Sequence, residues 1–164
     1  MQPPPDSFAF VYEATLLRLT AVKRSTWQNW VAASVVGDRP DGRYREVDVV
    51  ELSVVSALVK LVGRLADVEI TWRGARASVL ERLMAASVPP TLLVLELRTL
   101  NLQAHEDGAS VGDCLRPLEP SVVVPLTESI RTLRQDFWRF APAESGSSID
   151  RRRKAHRQTR TRRR

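Results

Sequence analysis

A single cysteine, Cys114, stands in 164 residues, which excludes a disulfide framework and a cysteine-built metal site. No apolar run approaches the roughly 18–20 residues that cross a bilayer. The opening MQPPPDSF carries neither the charge nor the apolar stretch of a signal peptide, so a cytoplasmic protein with no membrane contact is expected. The two histidines, His105 and His156, are each alone. No Gly-rich stretch matches a phosphate cradle. Cys114 has Asp113 and Arg116 beside it but no nearby histidine, and the Glu106-Asp107 pair falls in a turn. No set of nucleophile, base and orienting group can be assembled. The expectation is a protein without enzymatic activity, cofactor or metal.

Charge is what the chain has, and it is unevenly spread. The formal net is +6, but nine of the 25 basic residues lie after Asp150, where there is no acid. Up to Asp150, 16 basic residues face 19 acidic ones, a net of −3. Within that body, residues 16–45 hold Arg18, Lys23, Arg24, Arg39, Arg43 and Arg45 against Asp38 and Asp41, a local +4. There are thus two basic features, one early in the body and one in the tail.

The pattern of apolar residues predicts an α+β, mainly helical chain. Residues 13–19 suit a short helix with Ala14, Leu17 and Val22 inward. Lys23 to about Ser34 is a second helix, with Ser25 as N-cap and Trp27 and Trp30 on one face. Asp38 to Gly42 reads as a turn in a hairpin whose second strand is Arg43-Tyr44-Arg45. Val47 to Val62 carries a helical stripe of Val47, Val50, Val54, Leu58 and Leu61. Thr71 to Ser87 is a further helix, with Val79, Leu80, Leu83 and Met84 inward and Pro89-Pro90 as its stop. Leu92 to Leu97 and Val122 to Val124 read as strands, with Asn101 to His105 extending a hairpin and a short helix within Val111 to Leu118. Thr127 caps a last helix to about Phe140, with Ile130, Leu133, Phe137 and Phe140 on one face. Pro3 to Pro5, the Ala143–Ser148 linker and the basic tail are expected to be disordered. The division expected is a head over 8–88, a small α/β module over 91–141 and the tail over 142–164.

Residues 23–52 carry the chemistry. Arg24, Thr26, Gln28 and Asn29 alternate with the two tryptophans and should point outward; Gln and Asn bond adenine edges, and Arg bonds guanine or phosphate. Trp27 and Trp30 are expected to pack inward, because large rings supply most of a small core. Arg39, Arg43 and Arg45 are candidates for phosphate or groove contacts, and Tyr44 divides between packing and backbone contact. Glu46 and Asp48 suit the start of a helix, where the dipole favours acids.

Two segments of this stretch resemble the MerR-type winged helix-turn-helix family and its excisionase-like relatives. Thr26-Trp27-Gln28-Asn29-Trp30 stands where the family has Thr, an apolar residue, two polar residues and an aromatic. Arg43-Tyr44-Arg45-Glu46-Val47-Asp48-Val49 stands where it has a basic residue and Tyr in the wing, then an acid opening the next helix. The resemblance covers roughly residues 10–62. It departs at Ser34, where members often have Gly, and at Pro89-Pro90, where many continue into a long dimerising helix. It implies a winged helix-turn-helix that grips double-stranded DNA through Lys23, Arg24, Thr26, Gln28, Asn29, Arg39, Arg43, Tyr44 and Arg45.

The function expected is therefore a sequence-specific DNA-binding protein, a dimeric transcriptional regulator associated with the nucleoid. Residues 91–141 would hold the second subunit or another protein. The tail cations Arg151, Arg152, Arg153, Lys154, Arg157, Arg160, Arg162, Arg163 and Arg164 would add sequence-blind affinity for nucleic acid. Two other functions fit the same residues: an excisionase-like factor that bends DNA for a recombinase, and an antitoxin-type module whose business is protein contact.

Overall fold

The computed structural model describes residues 9–106 and 120–141. Four helices come first: α1 (Glu13–Thr20), α2 (Arg24–Ala32), α3 (Glu46–Val62) and α4 (Leu65–Leu83). Strands β1 (Thr91–Glu96), β2 (Asn101–Glu106) and β3 (Ser121–Pro125) come next, then a helix α5 over 127–141. The three strands form one antiparallel sheet in the order β2-β1-β3, with Leu93 opposite Ala104 and Val124. The chain is α+β, and helices predominate among the described residues. The expected helix within 111–118, the 106–108 turn beyond its first residue, the N-terminal prolines, the 143–148 linker and the basic tail lie outside the described residues.

One apolar core joins the helices to the sheet. Val49, Val54 and Leu58 of α3 pack in it with Trp72, Val79 and Leu83 of α4, Leu93 and Leu95 of β1, and Ile130, Leu133 and Phe137 of α5. The stripe along α3 is buried at Val50, Val54 and Leu58, while Val47 is half-buried at the start of the helix and Leu61 is 40% exposed at its end. In α1 the inward residues are Thr15, Leu16 and Thr20 rather than Ala14, which is exposed. The helix begins only at Glu13, and this register turns Leu16 into the core while Leu17 is half-buried.

Both helix boundaries around α4 differ from expectation. Gly63 takes a left-handed φ of 77° and closes α3, so the chain can re-enter a helix at Leu65, six residues before Thr71. The helix then ends at Leu83, well before Pro89-Pro90. The carbonyl of its last residue and one just past its cap find a partner in α5: Arg134 Nη1 donates to the oxygens of Leu83 at 3.1 Å and Ala85 at 2.7 Å. Tertiary capping, not proline, stops α4. Two expected caps also fall elsewhere. Lys23, not Ser25, is the N-cap of α2. The Thr127 hydroxyl accepts from the Thr91 backbone N–H at 2.7 Å, so it pins α5 to β1 instead of capping its own helix.

Candidate nucleic-acid interface

Helices α1 and α2 are joined by a turn of three residues. Ala21 adopts φ 53°, and the N–H groups of Ala21 and Val22 bond back to Arg18 and Leu17. The left-handed residue reverses the chain fast enough to start α2 at Arg24. The far end of α2 repeats the device: Ser34 has φ 58°, with its N–H on Val31 O. A β-carbon makes this conformation costly, so both residues are held there by packing on either side. Val22, Val35 and Val36 are all buried next to them.

The two tryptophans of α2 face inward. Trp27 and Trp30 are 6% and 5% exposed, and Trp27 meets the Tyr44 ring edge-on at 6.0 Å. At 100° per residue this orientation turns the intervening pair outward. Gln28 and Asn29 are exposed, Thr26 is half-buried, and Lys23 is exposed at the entry to the helix. Among the described residues nothing engages the side chains of Lys23, Gln28, Asn29 or Arg45. Arg24 is exposed but paired, its Nε 2.7 Å from Glu13 Oε1.

The loop after α2 is built differently from the expected hairpin. Its turn forms: the Gly42 N–H reaches Arg39 O at 2.8 Å, and Gly42 takes φ 65°, which glycine accepts without strain. Residues 43–45, however, do not pair with 35–38. Val35 and Val36 sink into the core, and Tyr44 pairs instead with Val11, each N–H bonding the other's carbonyl at 2.8 and 2.9 Å. The loop is fastened to the chain just before α1, so α1, α2 and the loop form one cradle.

Polar contacts inside the loop hold its shape. Asp38 Oδ1 accepts from the Arg39 N–H at 2.7 Å and from the Tyr44 hydroxyl at 3.1 Å. Asp41 Oδ1 accepts from the Arg43 N–H. Arg39 forms a fork with Asp48, its Nη2 2.7 Å from Oδ1 and its Nε within 3.2 Å of both oxygens. The second oxygen of Asp48 also takes the Arg45 N–H at 2.7 Å, at the N-terminus of α3. These contacts set two ionisations. Hydrogen bonding to Asp48 raises the Arg39 pKa, and burial, then Asp38, push the Tyr44 phenol above its ordinary range. Arg43 lies with its guanidinium 4.8 Å from the centre of the Phe10 ring.

The nine expected contact residues are thus close together in the fold but not alike in what they do. Arg39 is committed to Asp48, Tyr44 is 3% exposed, and Arg24 and Arg43 have partners within the chain. Lys23, Gln28, Asn29 and Arg45 stand free among the described residues. Sequence reasoning missed Asp38, Phe10 and Glu51, and saw Asp48 only as a helix start. Glu51 is 4% exposed and accepts from Trp72 Nε1 and from Nε and Nη2 of Arg76. It lies four residues from Val47 and Val55, on the buried stripe of α3, and an acid on an apolar stripe is the signal that a donor waits for it. Beside it a groove of about 470 Å³ runs behind the loop, between Val35, Asp38, Trp72 and Arg76.

Among the described residues, no group of three His, Cys, Asp or Glu side chains lies where it could hold a metal ion, and no helix is long and apolar enough to cross a membrane. No family model matches this chain, and no curated protein is found to be similar to it.

Proposed function

We propose that this chain is a sequence-specific DNA-binding protein in which α1 and α2 act as a helix-turn-helix and residues 38–45 as a wing. In this assignment α2 enters the major groove with Gln28 and Asn29 toward base edges. Lys23, Arg24, Arg43 and Arg45 lie toward phosphates. The observation that carries it is the division of α2: two tryptophans sealed in the core, and two free amide side chains facing outward beside a basic loop locked in shape. Amides pair bidentately with adenine, and a prefolded loop loses little entropy on binding. The biological role that fits best is a dimeric transcriptional regulator.

Selection of bound duplexes from a random pool by the full chain tests this. Enrichment of one sequence, with one position relaxed by Gln28→Ala and another by Asn29→Ala, is the expected result. No enrichment, with a folded protein, would remove the assignment.

A further inference from the structure

The groove behind the loop, at about 470 Å³, falls within the size range of small-molecule sites, about 300–1,000 Å³. One side of it comes from the end of α2 and the loop, with Val31, Val35 and Asp38. The other comes from α4, with Trp72, Arg73 and Arg76. Val35 and Trp72 are packed into the core, so both sides are formed before anything binds. Asp38, Arg73 and Arg76 are exposed and open to a ligand from solvent.

The charged groups on the two sides have opposite capacity to spare. Asp38 places Oδ1 on the Arg39 N–H and the Tyr44 hydroxyl, and nothing among the described residues engages its Oδ2. On the α4 side Arg76 gives Nε and Nη2 to Glu51 and keeps Nη1. Arg73 gives Nη2 to Glu69 and keeps Nε and Nη1. Glu51 and Glu69 balance the two arginines, which leaves the Asp38 carboxylate as the unbalanced charge of the lining. Two guanidiniums three residues apart on one helix are neighbours, and guanidinium N–H groups suit a carboxylate. Val31, Val35 and Trp72 make the rest apolar.

We propose that this groove binds a free amino acid with an apolar side chain. Its ammonium would sit on Asp38 Oδ2, its carboxylate on Arg73 and Arg76, and its side chain against Val31, Val35 and Trp72. Charge selects this class. A phosphate or a dicarboxylate would add negative charge among Asp38, Glu51 and Glu69, and a plain amine would leave the arginine donors without a ligand acceptor. The site stands independently of the DNA-binding role, and its occupant would tie the loop, through Asp38, to α4.

Titration calorimetry and proton–nitrogen NMR on the full chain test it. L-Leucine and L-phenylalanine are expected to bind, and to shift the Trp72 indole N–H and the backbone signals of Val35 and Asp38. Isoamylamine lacks the carboxylate of leucine, and isocaproate lacks the ammonium. Each should bind at least about tenfold more weakly than leucine, the loss expected for one charge-assisted contact. Asp38→Asn keeps an oxygen for Tyr44, and Arg73→Gln changes an exposed position. Each should weaken leucine about tenfold with the urea midpoint unchanged. Should a variant unfold, the shifts in the wild-type chain still locate the site. No binding up to about 10 mM, equal binding of leucine and either half of it, or shifts confined to residues away from the groove overturns the proposal. Wild-type affinity in two folded variants overturns it too.

Discussion

Arg134 Nε donates to Glu46 Oε1 at 2.7 Å, across 88 residues of chain. Both side chains are largely buried, at 17% and 14% exposed, and the same guanidinium holds the carbonyls that end α4. One arginine thus ties the start of α3, the end of α4 and the last helix. Arg134→Met should leave a largely buried carboxylate and two carbonyls short of donors. The expected loss is on the order of 2–4 kcal/mol, read from the midpoint of urea unfolding. A loss under about 0.5 kcal/mol, the size of an ordinary surface change, would show the tie to be idle.

The two faces of α2 should separate cleanly on mutation. Trp27→Ala or Trp30→Ala removes a buried ring and should cost ~3–5 kcal/mol of stability. Gln28→Ala and Asn29→Ala should change stability by less than ~0.5 kcal/mol yet cost ~1–3 kcal/mol of discrimination at one base pair each. Thermal unfolding together with competition binding reads both quantities. Unchanged unfolding in the tryptophan variants would place those rings on the outside.

Among the arginines of the loop, function should not track charge alone. Arg39→Ala is expected to destabilise the loop, with a coupling of about 1 kcal/mol to Asp48→Ala in a double-mutant cycle, since the fork is only partly exposed. Arg45→Ala should leave folding intact and weaken all DNA sequences alike. If Arg39→Ala behaves as Arg45→Ala does, the fork with Asp48 opens on DNA.

Tyr44 predicts an alkaline limit to stability. Its phenol is held protonated in the fold above the ordinary value of 10.0, by burial first and by Asp38 second. An unfolded chain loses that proton once pH exceeds about 10, whereas the fold retains it. The contribution is therefore complete below about pH 10 and declines as pH rises from there toward the folded value. Tyr44→Phe should be weaker at neutral pH by about 1 kcal/mol, through the lost bond to Asp38, but should decline less steeply above about pH 10. Parallel declines for the two proteins would remove Tyr44 as the cause.

For the proposed dimer, Phe137 is not the residue to change. It is 1% exposed, and Ile130 and Leu133 are buried beside it in the core of their own chain. Phe137→Asp is expected to unfold the protein instead of parting two subunits. Sedimentation of the wild-type chain at micromolar concentration tests the dimer directly, and a monomer would end that part of the proposal.

Local signals are legible in the sequence and contacts between distant residues are not. The three-residue spacing of Trp27 and Trp30 identifies the inner face of α2, whereas Ser34, where the absence of Gly argues for a different helix end, takes the left-handed conformation all the same. The apolar stripe of α3 and the strands are readable from periodicity. The start of α4 is not, because Arg64 offers no side-chain cap to mark it. Its end invites assignment to proline because the true cap, Arg134, comes from another helix. The Asp-Gly turn alone suggests a hairpin for the loop. The loop's actual partner, Val11, makes a single bridge, too short to leave any pattern in the sequence. The candidate contact residues emerge as a group, but which of them are spoken for depends on Asp48, Glu13 and Phe10, acceptors and a ring that no spacing rule connects to them.

The double grip on Glu46 has a bearing on engineering. A chain cut after Val62 would keep every residue of the head proposed to touch DNA, yet it would strip Glu46 of Arg134 and Trp138 and leave Arg18 without Phe140. The first sixty or so residues are not a portable cassette. Grafted onto another scaffold, they would need substitutes for α4 and α5, such as Glu46→Gln together with a surface that replaces Trp72 and Arg76 as donors to Glu51, before they could be expected to recognise anything.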